Sequence, residues 1–140
     1  MKTVDAIAEV RAFELTVTQA ARLAGVTRGY LFDLIWAATK ADVFARDHHA
    51  CIRCGRRAVD AHHRKARGSG GSHDPRVVFG LANVVSLCRA CHDLAEENPQ
   101  ESLADGLRVP QWADPAAIPV LTYRGWVRFD YSGGWTDVAA

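Results

Sequence analysis

Across residues 18–35 the apolar positions recur at helical rather than alternating intervals. Ala20, Ala21, Val26 and Leu31, followed by Leu34 and Ile35, are interrupted by Gly25 and Thr27. Thr18 can N-cap a short helix, Gly25 can end it in a left-handed turn, and Thr27 can cap a second helix running towards Thr39. That is the layout of a helix-turn-helix, in which Arg28 and Tyr30 would face a DNA groove. Gly29 counts against it, since glycine inside a helix costs ~1 kcal/mol relative to alanine. A helical hairpin that only packs on the rest of the protein explains the same residues. A further short helix is expected to end near Arg46.

Beyond that point the pattern changes. Residues 58–62 and 83–87 read as short strands, and residues 89–97 as a helix closed by Pro99. Between the strands, residues 66–76 hold Gly68, Ser69, Gly70, Gly71 and Ser72 and are expected to form a flexible loop. This loop lacks the Gly-Lys-Ser/Thr ending of a phosphate-cradling loop, which excludes that kind of nucleotide site. A short helix over residues 100–105 should stop at Gly106. After Pro110, Pro115 and Pro119, residues 120–123 and 126–131 read as a hairpin turning at Arg124-Gly125, with Trp126 and Trp135 as packing anchors. The chain thus divides into a helical region (1–46), a central region (47–98) and a C-terminal extension (99–140).

The 140 residues suit about one domain at the usual ~100–200 residues each. The chain has no apolar run of about 18 residues, so no membrane span is expected. Lys2, Asp5, Glu9 and Arg11 interrupt any secretory apolar segment, and a reducing cytoplasm is the expected location. Charge changes the picture more than composition does. Residues 1–46 carry six basic and five acidic side chains, residues 47–92 eight and three, and residues 93–140 three and eight. The central net of +5 suits a polyanionic ligand, although a solvated face balanced by the acidic tail would carry the same charges.

Chemistry concentrates in the same segment. Cys51 and Cys54 form one Cys-x-x-Cys pair, and Cys88 and Cys91 a second, with His92 directly behind. Two such pairs in a reducing compartment make a tetrahedral four-sulfur zinc site rather than disulfides. The 33 residues between the pairs hold His62, His63 and Asn83. Adjacent histidines on a strand point to opposite faces, so one can ligate a metal while the other activates water. An imidazole of ordinary pKa ~6.5 suits a general base at neutral pH. A histidine on the first strand and His92 on the following helix can hold one divalent cation in an open site. Such a cation stabilises charge on a phosphorane and its leaving oxygen. His48, His49 and His73 have no partner at ligand spacing.

Taken together, Cys51-Ile52-Arg53-Cys54, Ala61-His62-His63-Arg64, Asn83-Val84-Val85-Ser86-Leu87-Cys88 and Cys91-His92 resemble the HNH endonucleases of the zinc-bearing ββα-metal type. The resemblance covers residues 47–98. The tail, with Gly106-Leu107-Arg108-Val109, Asp114-Pro115 and Pro119-Val120, is similar to small bacteriophage HNH proteins. The resemblance implies an α+β fold: a zinc-stapled ββα finger with N-terminal helices and a C-terminal β-hairpin. It further implies a metal-dependent endonuclease that hydrolyses phosphodiester bonds of double-stranded DNA. A phage-encoded protein of this kind would work in the host cytoplasm alongside terminase during DNA packaging.

In that family pattern His63 is the general base, and His62 and His92 hold the catalytic divalent metal (Mg²⁺, Mn²⁺, Ni²⁺ or Zn²⁺). Asn83 fixes the His63 strand, while Cys51, Cys54, Cys88 and Cys91 bind structural zinc. The chain departs from the pattern four residues beyond His92, where many relatives place another histidine and Glu96 stands instead. At that spacing Glu96 shares a helix face with His92. It can supply the third ligand, or remain a solvated glutamate with water in its place. Arg64, Lys65 and Arg67 would contact the DNA backbone, and Arg28 would do so from the helix-turn-helix. The rival reading is a zinc-dependent DNA-binding regulator without cleavage. A purely structural zinc module leaves His63 and Asn83 unexplained.

Overall fold

Three helices fill the N-terminal region of the computed structural model, which describes residues 1–66 and 73–138: α1 (Thr3–Arg11), α2 (Val17–Ala24) and α3 (Arg28–Arg46). The cap of α2 is Thr16 and not Thr18. Its hydroxyl accepts from the Gln19 amide while the Gln19 side chain accepts from the Thr16 amide, a capping box that satisfies two otherwise orphaned donors. Gly25 ends α2 at φ +69°, and Thr27 caps α3 through the Tyr30 amide. Helix α3 then runs unbroken to Arg46, where the sequence had suggested two pieces. Nothing from residue 30 to 46 is Gly or Pro, and Leu31, Ile35, Thr39 and Val43 form one buried stripe. Thr39 keeps its hydroxyl satisfied there by donating to the Ile35 carbonyl at 2.9 Å.

The described residues of the central region form two strands and two helices. Strands β1 (Asp60–His63) and β2 (Val84–Leu87) pair antiparallel, with Asp60 opposite Leu87 and His63 opposite Val84. Between them lies a short helix, α4 (Pro75–Phe79), at the end of the segment expected to be loop. Asp74 caps it through the Arg76 amide and Pro75 suits its first turn, while Val77, Val78 and Phe79 are buried. Residues 67–72, the rest of the expected loop, lie outside the described residues. Helix α5 (Arg89–Glu97) follows β2, and α6 (Pro99–Asp105) ends at Gly106 in the left-handed region.

The extension forms the expected hairpin, β3 (Val120–Thr122) with β4 (Gly125–Phe129), and adds a third antiparallel strand, β5 (Trp135–Asp137). Its packing anchors are Val127 and Phe129, because they point inward at alternate positions of β4. Trp126 is half-buried, and Trp135 is exposed rather than an anchor. Among the described residues no helix is long and apolar enough to cross a membrane.

Two hydrophobic cores result. One packs α1, α2 and α3 against Val78 and Phe79 of α4; the other joins the Cys51 knuckle and β2 to Leu107, Val120, Val127 and Phe129. Arg46 ties them together at the end of α3. Its guanidinium pairs with Asp47, donates to the carbonyls of Leu81 and Val84, and stacks 4.1 Å over the Phe129 ring.

Arg64 is the second buried cation and corrects an expectation. It is 1% exposed, and its guanidinium donates to the carbonyls of Gly106, Ala82, Pro115 and Ile118. Burial, and then the nearby Arg46 charge, push it down to about 9, so it remains charged at neutral pH. A side chain so enclosed is a structural clamp between β1 and the extension and does not reach a DNA backbone.

Candidate active site and metal centres

The four cysteines converge although 33 residues separate the pairs. Their sulfurs lie within 4.8 Å of one another, with Cys54 and Cys88 3.7 Å apart. Zn–S bonds of ~2.3 Å in a tetrahedron put sulfurs about 3.8 Å apart, so the donor set is compatible with a structural zinc. Cys88 opens α5 and accepts from the Cys91 amide. Burial pushes the Cys88 thiol up, but hydrogen bonds from the Cys91 backbone and the neighbouring thiols outweigh it and hold it at about 7. At Cys51 and Cys91 burial prevails, and both thiols are pushed up. Of these three thiols Cys88 ionises most readily, and binding a cation would release thiol protons.

A second cluster brings together His62, His92 and Glu96. Period two places Asp60 and His62 on the same face of β1, turned towards α5. His62 donates from Nε2 to the Leu107 carbonyl at 2.8 Å, and His92 donates from Nδ1 to Asp60 at 3.1 Å. A carbonyl or an ionised carboxylate only accepts, which assigns both tautomers. The remaining nitrogens, Nδ1 of His62 and Nε2 of His92, each lie 3.6 Å from Glu96 Oε1. Bonds of ~2.1 Å in a tetrahedron would set donors about 3.4 Å apart, so these three residues fit a divalent cation. Burial holds His62 below the ordinary imidazole value, keeping its lone pair available. The glutamate side chain is 63% exposed, so solvent reaches the cluster from that side.

His63 points away from this cluster. Its Nε2 donates to the Val78 carbonyl of α4 at 2.9 Å, and Trp36 of α3 stacks on its ring with centroids 5.0 Å apart and planes 14° apart. Fixing the proton on Nε2 makes Nδ1 the basic nitrogen. Asn83 is fully buried and clamps the chain just beyond His63. Its side-chain oxygen accepts from the Lys65 amide at 2.6 Å, and its nitrogen donates to the carbonyls of Lys65 and Val77. The asparagine thus sets the relative position of β1's end and α4, the two elements that hold the His63 ring.

Residues 51–97 match the family model described as HNH endonuclease. Over this segment the chain is similar to HNH endonucleases. No curated protein and no solved structure matches the chain. The matched segment contains the four cysteines, His62, His63, Asn83, His92 and Glu96. Several of its supports lie outside it: the Leu107 carbonyl behind His62, the Gly106, Pro115 and Ile118 carbonyls around Arg64, and the Trp36 ring.

The candidate DNA contacts fare unevenly. Arg28 is exposed at the start of α3, 5.8 Å over the Phe32 ring. Lys65 is half-buried with Nζ donating to the Ala113 carbonyl, Arg64 is enclosed, and Arg67 lies outside the described residues. Sequence reasoning missed Asp60, which orients His92 and pairs with Arg89 at 2.9 Å. Its signal was present: an acidic residue two positions before His62, on the same strand face. Leu107 acts through its backbone and Trp36 through a tertiary stack, and neither leaves a local signature.

Proposed function

We propose that the protein is a metal-dependent endonuclease that hydrolyses phosphodiester bonds of double-stranded DNA. The observation that carries this reading is the division of labour between adjacent histidines. His62 turns a lone pair towards His92 and Glu96, while His63 is held by the Val78 carbonyl with its other nitrogen basic. His63 Nδ1 would take the proton of the water that attacks phosphorus. His62, His92 and Glu96 would hold a divalent cation, which when bound neutralises charge developing on the phosphoryl group and the leaving oxygen. Asp60 and the Leu107 carbonyl keep both ligating imidazoles in the required tautomer. Cys51, Cys54, Cys88 and Cys91 would hold the structural zinc. The excess of basic side chains over residues 47–92 favours a polyanionic substrate. A role beside terminase in phage DNA packaging rests on the resemblance of the tail alone.

The test is cleavage of supercoiled plasmid with Mg²⁺, Mn²⁺ or Ni²⁺, with and without chelator. His63→Ala should retain metal and DNA binding and lose cleavage by ~10²–10⁴-fold, the usual contribution of a positioned general base. His62→Ala should fail at metal affinity instead, and raised Mn²⁺ should partly restore it. Undiminished cleavage by folded His63→Ala would overturn the assignment. No cleavage by the wild type with any metal, beside intact duplex binding, would favour a DNA-binding regulator built on the α2–α3 pair.

A further inference from the structure

Helix α3 lies wholly outside the residues that match the HNH family, yet it touches the proposed catalytic base. Trp36 stacks on His63, and four residues earlier Phe32 packs on Phe79 of α4 with ring centroids 5.2 Å apart. Spacing of four puts both rings on one face of α3. That face therefore supports His63 twice. It holds the imidazole directly, and it holds the helix whose Val78 carbonyl accepts the Nε2 proton.

The two supports constrain different motions. The hydrogen bond to Val78 fixes where Nε2 sits, and by itself it does not stop the ring pivoting about the N···O axis. A near-parallel stack removes that pivot, because tilting the imidazole would open the contact with the indole face.

We infer that Trp36 is a positioning residue for His63, so that the N-terminal helices belong to the catalytic unit. This rests on the nuclease reading above, in which His63 is the base. A ring free to tilt would present Nδ1 to the attacking water in the correct direction for only part of the time. Misplacement on the scale of 1 Å costs up to ~10²-fold in rate.

The experiment compares the full chain with Trp36→Leu, Trp36→Phe and Ile35→Val. Ile35 is buried beside Trp36 but faces the helical core, so it controls for lost stability. With Mn²⁺ and a duplex oligonucleotide, Trp36→Leu should lower kcat by ~10–100-fold with KM within about twofold of wild type. Trp36→Phe should restore most of the rate, since a phenyl face can stack in the same place. Ile35→Val should melt earlier and cut at the wild-type rate. Independently of cleavage, the His63 ring protons should be displaced upfield in the NMR spectrum of the wild type, by the ring current of Trp36. The displacement should be lost in Trp36→Leu.

Wild-type kcat in folded Trp36→Leu would overturn the inference, and so would undisplaced His63 protons in the wild type. If Trp36→Leu does not fold, the wild-type shift decides alone. An inactive wild type with displaced His63 protons would sink the nuclease reading and leave the stack intact.

Discussion

Cys91 and His92 are neighbours in the first turn of α5, yet one faces four sulfurs and the other faces His62 and Glu96. The sulfur cluster takes its donors from two knuckles and fills every corner of a tetrahedron with protein, so no position is left for substrate. The nitrogen–oxygen cluster offers three donors and opens to solvent on the glutamate side. Its imidazoles are braced from behind by Asp60 and Leu107. The contrast teaches that one helix can serve both purposes. On the function proposed above, a closed site would hold the chain together and an open site one residue along would face the chemistry.

The largest expected effect tests the closed site. Structural zinc contributes ~10–16 kcal/mol in small fingers, and the core around Cys51 has few large side chains. Cys54→Ser or Cys88→Ser should therefore give unfolded or insoluble protein, read by circular dichroism and by zinc content. Well-folded wild type that contains no zinc would break the contrast between the two centres.

Arg64 comes next and separates a structural cation from a DNA contact. Arg64→Leu would strand the carbonyls of Gly106, Ala82, Pro115 and Ile118, and an unsatisfied buried polar group costs ~1–3 kcal/mol. After relaxation a loss of at least about 3 kcal/mol is expected in urea unfolding. Unchanged stability with weakened DNA binding would return Arg64 to the phosphate backbone.

Arg64 also marks where reading the sequence stops. The Cys-x-x-Cys pairs, the double histidine and Asn83 were legible because each motif states its chemistry locally. Glu96 was legible through helical spacing. The helix-turn-helix layout was legible too, from Gly25 and Thr27, but its task was not. A basic residue following His63 looks the same whether it faces solvent or four carbonyls, and those carbonyls come from 18 to 54 residues further along the chain. Helix α4 was hidden because a glycine- and serine-rich run precedes it, and β5 because three residues carry too little pattern. Register and tertiary contact decided these features, and neither is a local property.

Asp60 tests the open site with the fold left standing. Without its carboxylate, His92 Nδ1 loses its acceptor and the ring its preferred tautomer. Partners of this kind are worth ~10–100-fold in metal affinity. Asp60→Ala should weaken Mn²⁺ or Ni²⁺ binding by that factor in calorimetry while zinc content stays unchanged. Equal affinity in the variant would mean that His92 needs no support, and the bracing argument would fall.

The smallest effect concerns His62 without the second cation. Burial lowers its folded-state pKa below the ~6.5 of an unfolded imidazole. A depressed value means that the unfolded chain takes up the proton first as the solution is acidified. The stabilisation linked to neutral His62 is therefore complete above about pH 6.5 and declines as pH falls towards the folded-state value. His62→Gln can still donate to the Leu107 carbonyl but has no proton to gain. Between about pH 8 and pH 5.5 the zinc-loaded wild type should lose more stability than His62→Gln. The difference is at most about 1.4 kcal/mol, because only about one pH unit of the window lies below the unfolded value. Parallel urea midpoints for the two proteins across this range would show that His62 is not held neutral by burial. Below about pH 6.5 the open site would then have to expel a proton to bind its cation.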